Sequence, residues 1–151
     1  HPPIWFGANA PAAIARAVRH GDAFLGAGSS TTANFAEAVK VVLSELEKQG
    51  LEKQGSDPTQ FPIGKRVYLM VDDDPARARE RVVAGLRRIY GDMPVSVDVT
   101  VSGTRDDVVA GLREVIDAGA QMILLNPVGE TIAEDREQME RLAADVIPQL
   151  S

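Results

Sequence analysis

Short apolar runs alternate with longer stretches in which apolar residues return every three or four positions along these 151 residues. The runs Ile4–Phe6, Ala23–Gly26, Lys65–Val71 and Gln121–Leu125 have the length and composition of strands. Val67 to Val71 and Met122 to Leu125 are apolar at every position, which predicts parallel strands covered on both faces rather than half-exposed hairpins. The longer stretches predict amphipathic helices. Phe35, Ala38, Val39, Val42, Leu43 and Leu46 fall on one face, as do Val82, Val83, Leu86, Ile89 and Tyr90. The spacing repeats in Val108, Val109, Leu112, Val115 and Ile116, and again in Met139, Leu142, Ala143, Val146 and Ile147. A shorter helix is expected over Ala12–His20, with Pro11 in its first turn and Gly21 past its end. Thr104, followed three residues later by Asp107, has the spacing of a capping box. Strands alternating with helices in this way predict an α/β fold with right-handed crossovers.

Two connections are less regular. Leu46–Gly50 and Leu51–Gly55 are identical pentapeptides, too short a period for a solenoid. They read as a helix end followed by a polar insertion through Ser56, Asp57 and Pro58. The segment Gly91–Ser102 contains the alternation Val95, Val97, Val99, Val101, which suits a short strand or an extended stretch.

Composition narrows the function classes without selecting one. The chain is 44% hydrophobic and 25% charged with a net charge of -6. Its Lys and Arg residues are scattered along the helices, so no basic patch for nucleic acid is expected. The absence of cysteine removes disulfides, thiolate nucleophiles and cysteine metal sites. No apolar run approaches the roughly 18 residues of a membrane span, and a cytoplasmic location is the expectation. The chain opens at His1-Pro2-Pro3 and runs straight into Ile4-Trp5-Phe6, which suggests a single partial domain, residues 1–151, cut from a longer polypeptide.

Candidate chemistry collects after the strands. Gly7-Ala8-Asn9-Ala10-Pro11 follows the first, Gly26-Ala27-Gly28-Ser29-Ser30-Thr31-Thr32 the second, Asp72-Asp73-Asp74-Pro75 the third, and Asn126-Pro127-Val128-Gly129 the fourth. In parallel α/β folds these C-terminal strand ends hold the ligand. Gly7–Pro11 is either a tight βα turn or a phosphate cradle at a helix N-terminus. Of the four hydroxyls at Ser29 to Thr32, at least one is expected to cap the next helix, leaving others for a phosphate, a ribityl chain or a substrate anion. Asp72–Asp74 reads as N-cap chemistry ahead of metal binding, since no His or Glu stands at ligand spacing. His20 suits a helix C-terminus better than a catalytic base. Trp5 reads as core, and Asn126 as either a turn residue or a ligand hydrogen-bond partner. No Ser–His–Asp set or isolated carboxylate pair is present, so the catalytic residue stays unassigned.

The same segments resemble the luciferase-like monooxygenase family, the flavin- or F420-dependent (β/α)8-barrel oxidoreductases. Pro3-Ile4-Trp5-Phe6-Gly7-Ala8 is similar to that family's Pro-Ile-Trp-x-Gly-Gly strand and loop. Arg19-His20-Gly21-Asp22-Ala23-Phe24 is similar to its Arg-x-Gly-Asp-Gly-Trp/Phe lead into the next strand. Ser102 to Val108 is similar to its Gly-Thr-Pro-Glu-Glu-Val, and Ala118 to Pro127 to its last strand.

The resemblance implies the C-terminal half of such a barrel, strands five to eight, with an extra segment before the last. It implies a deazaflavin (F420) or FMN cofactor serving hydride transfer or oxygen activation on a small organic substrate, the pattern being closer to F420-dependent members. Gly7, Ala8, Asn9 and Ala10 would hold the cofactor phosphate, while Gly26, Ala27, Gly28, Ser29 and Ser30 would face the cofactor tail or substrate. Two departures stand out: Ala8 replaces the second glycine, and Ser29 and Ser30 occupy the place of a basic substrate-phosphate residue. The general acid or base would come from the N-terminal half. The remaining alternatives are a stand-alone, flavodoxin-like binding module and a non-catalytic half-barrel that acts only when paired, with a second copy or a separate N-terminal chain.

Overall fold

A computed structural model describes residues 1–52 and 61–150. The elements are β1 (Trp5–Phe6), α1 (Pro11–His20), β2 (Ala23–Gly26), α2 (Thr32–Glu52), β3 (Ile63–Val71), α3 (Pro75–Tyr90), β4 (Thr100–Gly103), α4 (Arg105–Asp117), β5 (Met122–Pro127) and α5 (Ile132–Arg141). Beyond α5 the chain continues through a π-helical turn, Leu142–Val146, and a 3-10 turn, Ile147–Gln149. No helix among the described residues is long and apolar enough to cross a membrane. The first copy of the pentapeptide repeat lies within α2. The insertion expected around Ser56 to Pro58 lies outside the described residues.

Pairing follows the order β1-β2-β3-β4, with β5 also paired to β3. The first three pairings are parallel, in the registers Trp5 with Ala23, Phe24 with Ile63, and Tyr68 with Thr100. The strand at Thr100–Gly103 is one more than the four apolar runs predict. It ends the segment whose alternation allowed a strand, and a 3-10 turn at Val97–Val99 precedes it.

The chain divides into two compact units, and β3 and β5 contribute residues to each. The first comprises His1–Arg66 and Ile116–Leu124. Its core gathers Ile14, Ala17 and Val18 of α1, Phe24 of β2, Phe35, Val39 and Val42 of α2, and Ile63 of β3. The α1 start has Pro11 in the first turn, where its missing N–H costs nothing, and Gly21 closes the helix on the Ala17 carbonyl. Asp22 then ties the lead into β2 back to β1: its carboxylate accepts from the Ile4 amide at 2.7 Å.

One face of this unit departs from expectation. Trp5 is 37% exposed, Met122 45% and Leu124 47%, so neither β1 nor the start of β5 is covered on both sides. A β-carbon on Gly64 would come within 3.2 Å of Trp5 and 3.4 Å of Met122, which places the three residues on one apolar sheet face. Trp5 is therefore packed at its edge rather than enclosed.

The second unit comprises Val67–Val115 and Leu125–Ser151. Tyr68, Met70, Ala78, Val82, Leu86 and Val128 form its cluster, with Val95, Val97 and Val99 packed against it. The Tyr68 and Tyr90 hydroxyls share a hydrogen bond of 2.8 Å, with the rings edge to face. Gly85 is required where α3 crosses the segment after β5, since a β-carbon there would lie 1.8 Å from the Val128 carbonyl oxygen. The expected capping box is present: the Thr104 amide donates to Asp107 at 2.9 Å, and the Asp107 amide donates back to the Thr104 hydroxyl at 3.3 Å.

The helical faces are narrower than predicted. Leu43, Ile89, Ile116, Met139 and Ile147 sit at the exposed margins of their stripes. In the last helical region the buried positions are Gln138, Leu142 and Val146. Gln138 replaces Met139 because its amide makes two bonds to the backbone at the end of β3, accepting from Val71 N at 2.7 Å and donating to Val71 O at 2.9 Å.

Candidate functional site

The loops after β1 and β2 converge, within the first unit, on one cleft of about 350 Å³. Ala8 and Asn9 come from the first loop, Gly26, Ser29 and Ser30 from the second, and Asn34, Phe35 and Glu37 from the start of α2. Ile14 and Phe24 add apolar wall. A cleft of this size with a few polar groups on an apolar floor is the ordinary form of a small-molecule site.

Each loop has a definite local cause. Ala10 is the N-cap of α1 and offers no side-chain cap, so the positive end of that helix faces the loop without a protein carboxylate or hydroxyl on it. Gly7 sits close behind, where a β-carbon would meet the Leu25 carbonyl at 3.2 Å. In the second loop the hydroxyls divide. Thr31 caps α2 through the Asn34 amide at 3.1 Å, and Ser30 donates to the Ala27 carbonyl at 2.7 Å. Ser29 and Thr32 keep hydroxyls with no partner among the described residues. Gly26 lines the cleft, but the room for its missing β-carbon is taken by the Phe35 ring, 2.5 Å from that position. That glycine serves helix packing, not ligand approach.

Of the nine residues expected from the sequence, Ala8, Asn9, Gly26, Ser29 and Ser30 line the cleft together. Gly7, Ala10, Ala27 and Gly28 shape the loops behind it without lining it. Asn34 and Glu37 were not anticipated. Their signal is their place in the first turns of the helix that the hydroxyl loop feeds. Glu37 is paired with Lys40 at 2.6 Å.

Lys65 was also missed, although a charged pair, Lys65-Arg66, ahead of the apolar run Val67–Val71 is a visible anomaly. It is 2% exposed. Its ammonium donates to the Ala27 carbonyl, to the Ser30 carbonyl at 2.8 Å and to the Ser30 hydroxyl at 2.9 Å. Burial, with the Arg66 charge beside it, lowers its pKa to about 8.

The remaining candidates lie elsewhere. Asp74 caps α3 through the Ala76 amide at 2.9 Å. Asp72, in the second unit, is buried and bound by Arg77 and Arg81. Burial alone would raise its pKa, but hydrogen bonds from Arg77, the Asp74 amide and Arg81 hold it well below the usual carboxylate range. Asn126 turns its amide to the adjacent Pro127 carbonyl at 3.2 Å. His20 is exposed in the last turn of α1.

A family model described as luciferase-like monooxygenase matches residues 1–146. The chain belongs to the luciferase-like monooxygenase family. Solved structures agree on the fold. A coenzyme F420-dependent tetrahydromethanopterin reductase from Methanopyrus kandleri superposes with a TM-score of 0.73 at 17% identity, over 99% of this chain and 51% of that one. A monooxygenase from Streptomyces bottropensis gives 0.72 at 19% identity, over 100% and 49%. An F420-dependent secondary alcohol dehydrogenase, solved with an F420–acetone adduct, gives 0.68 at 14% identity, over 100% and 49%. The luciferase-like chain thus spans about half the length of these structures, and its α/β architecture is that of half of a luciferase-like barrel. No curated protein matches it.

Proposed function

We propose that this chain supplies the phosphate-end cradle of an oxidoreductase or monooxygenase that uses F420 or FMN on a small organic substrate. The observation that carries this reading is the convergence of the β1 and β2 loops on one cleft beside the uncapped N-terminus of α1. The donor set suits a phosphate and its polyol chain: Asn9, Ser29 and Asn34 offer neutral hydrogen-bonding groups, the helix end favours an anion, and Glu37 is paired with Lys40 at the surface.

Gly7, Ala8, Asn9 and Ala10 would hold the phosphate, with Ser29 and Ser30 beside the tail. Gly26, Ala27 and Gly28 would set the loop's path. When bound, the cofactor supplies hydride transfer or the reaction of reduced flavin with oxygen. The chain's own residues bind, orient and shield. The titration that tests this follows fluorescence as the intact protein meets FMN and, separately, F420. Binding of at least one below millimolar concentration is expected, and failure of both removes the oxidoreductase reading.

A second reading has its own observation. The exposed sheet face of Trp5, Met122 and Leu124 favours a half-barrel that functions only when paired, with further strands of the same polypeptide, a separate N-terminal chain or a second copy. Light scattering of this 151-residue chain is expected to show association or aggregation. A well-folded, soluble monomer would contradict pairing. Either form fits a cytoplasmic enzyme.

A further inference from the structure

Lys65 poses a problem of stability that its surroundings solve without a countercharge among the described residues. A buried cation is normally held by a carboxylate, because removing the charge from water costs several kcal/mol. Here the three N–H donors of the ammonium meet three neutral oxygens of one turn: the Ala27 carbonyl, the Ser30 carbonyl and the Ser30 hydroxyl. The stem passes Gly26, where a β-carbon would lie 3.0 Å from Cδ, and the ammonium sits 5.8 Å from the centre of the Phe35 ring. Gly26, Ser30 and Phe35 all line the cleft. Lys65 itself does not, so it acts on the cleft through them.

Among the described residues the charges around it are few. Arg66, next on the same strand, opposes its ionisation. Glu37 on α2 lines the same cleft but is engaged by Lys40. The loop from Gly26 to Ser30 and the first loop from Gly7 to Ala10 contain no titratable side chain. Among the described residues, then, no carboxylate bonds the Lys65 ammonium from the cleft side.

We propose that Lys65 is the positioning residue of this cleft, its ammonium fixing the Ala27–Ser30 turn from behind so that the loop accepts an anionic, phosphate-bearing ligand. The choice of ligand rests on the cofactor reading above; the hold on the turn does not. Loss of one proton leaves an amine with two donors for three acceptors. The turn then loses a tether as pH rises through about 8.

The test measures hydrogen-exchange protection at the Ser30 amide, which donates to Ala27 O at 3.2 Å within the turn, together with FMN and inorganic phosphate affinity, from pH 6.5 to 9.5. The intact protein is compared with K65M, K65R and S30A. In the wild type, Ser30 protection is expected to fall severalfold across the upper half of that range. K65M should lose at least tenfold in protection at pH 7 and abolish the pH dependence, K65R should restore part of it, and S30A should show a smaller loss.

Ligand affinity should follow protection. Unchanged Ser30 protection in K65M overturns the proposal, whatever the ligand results. Lost protection in K65M, with a wild type that binds neither FMN nor phosphate, upholds the role of Lys65 and removes the cofactor reading. Should K65M fail to fold, the wild-type pH profile and S30A decide: protection that is flat with pH and unaffected in S30A overturns the proposal.

Discussion

β3 and the residue that follows it place a buried cation and a buried anion seven residues apart in sequence, and each half of the molecule has solved its own problem differently. In the first unit Lys65 is satisfied by carbonyls and a hydroxyl of one loop, and its pKa is drawn down to about 8. In the second, Asp72 meets Arg77 at 2.9 Å and Arg81 at 3.0 Å, and Arg81 also bonds Glu137 at 2.9 Å. The Asp72 network is balanced charge against charge and joins β3, α3 and α5. It is a structural device. Lys65 bonds no carboxylate among the described residues and donates to a single loop at the candidate cleft, which is the pattern expected where stability is given up for a site.

The contrast is most sharply tested by removing Asp72. D72A leaves two arginines without their shared partner, and a loss of about 3 kcal/mol in unfolding free energy is expected, measured by urea denaturation at pH 7. The sign with acid follows from the depressed pKa. Asp72 contributes stability above the ordinary carboxylate value of about 3.9 and loses it as pH falls below that towards the folded value. D72A should therefore flatten part of the acid limb of the stability profile. A D72A protein as stable as wild type would dissolve the distinction between the two regions.

Gln138 gives the neutral counterpart. Q138L keeps the buried volume but orphans the Val71 N–H and C=O, with an expected cost of about 2 kcal/mol. An unchanged denaturation midpoint would mean that β3 finds other partners there.

Lys65 should show the smallest effect on global stability, with the opposite sign. Its pKa is lowered on folding, so the unfolded chain binds more protons between about pH 8 and the ordinary lysine value. Global stability then rises with pH over that window even as the turn loosens, because unfolding returns the ammonium to water whereas opening of the turn alone leaves Lys65 buried. K65M relieves the buried charge but takes a donor from the Ala27 and Ser30 carbonyls, so its net change at pH 7 should be smaller than that of D72A or Q138L, and it should lack this rise. A strongly destabilised K65M would make Lys65 a structural residue of the same kind as Asp72.

The sequence displays these two devices unequally, for physical reasons. Strand ends and helix starts are local, so Pro11, Gly21, Asp74 and the Thr104–Asp107 box could be read from spacing alone, and the converging loops followed from strand polarity. Partners distant in sequence could not be read. Nothing local says that Gln138 rather than Met139 turns inward, or that Asp72 is bound by Arg81, because both depend on how α3 and α5 meet the end of β3. The margins of the helical stripes, Leu43 and Ile116, fail similarly: periodicity gives a direction, while burial depends on what lies opposite. Lys65 was legible only in part. A lysine within a buried strand is costly enough to demand a reason, but its partners lie in a loop more than thirty residues away, beyond what local spacing shows.

The most direct test of the central claim is where a ligand lands. Backbone amide shifts of the intact protein titrated with FMN, and separately with F420, should move chiefly at Ala8 to Ala12 and Gly26 to Asn34. Saturable binding with shifts confined to other segments, for example the cleft around Arg87 to Val95, would contradict the account.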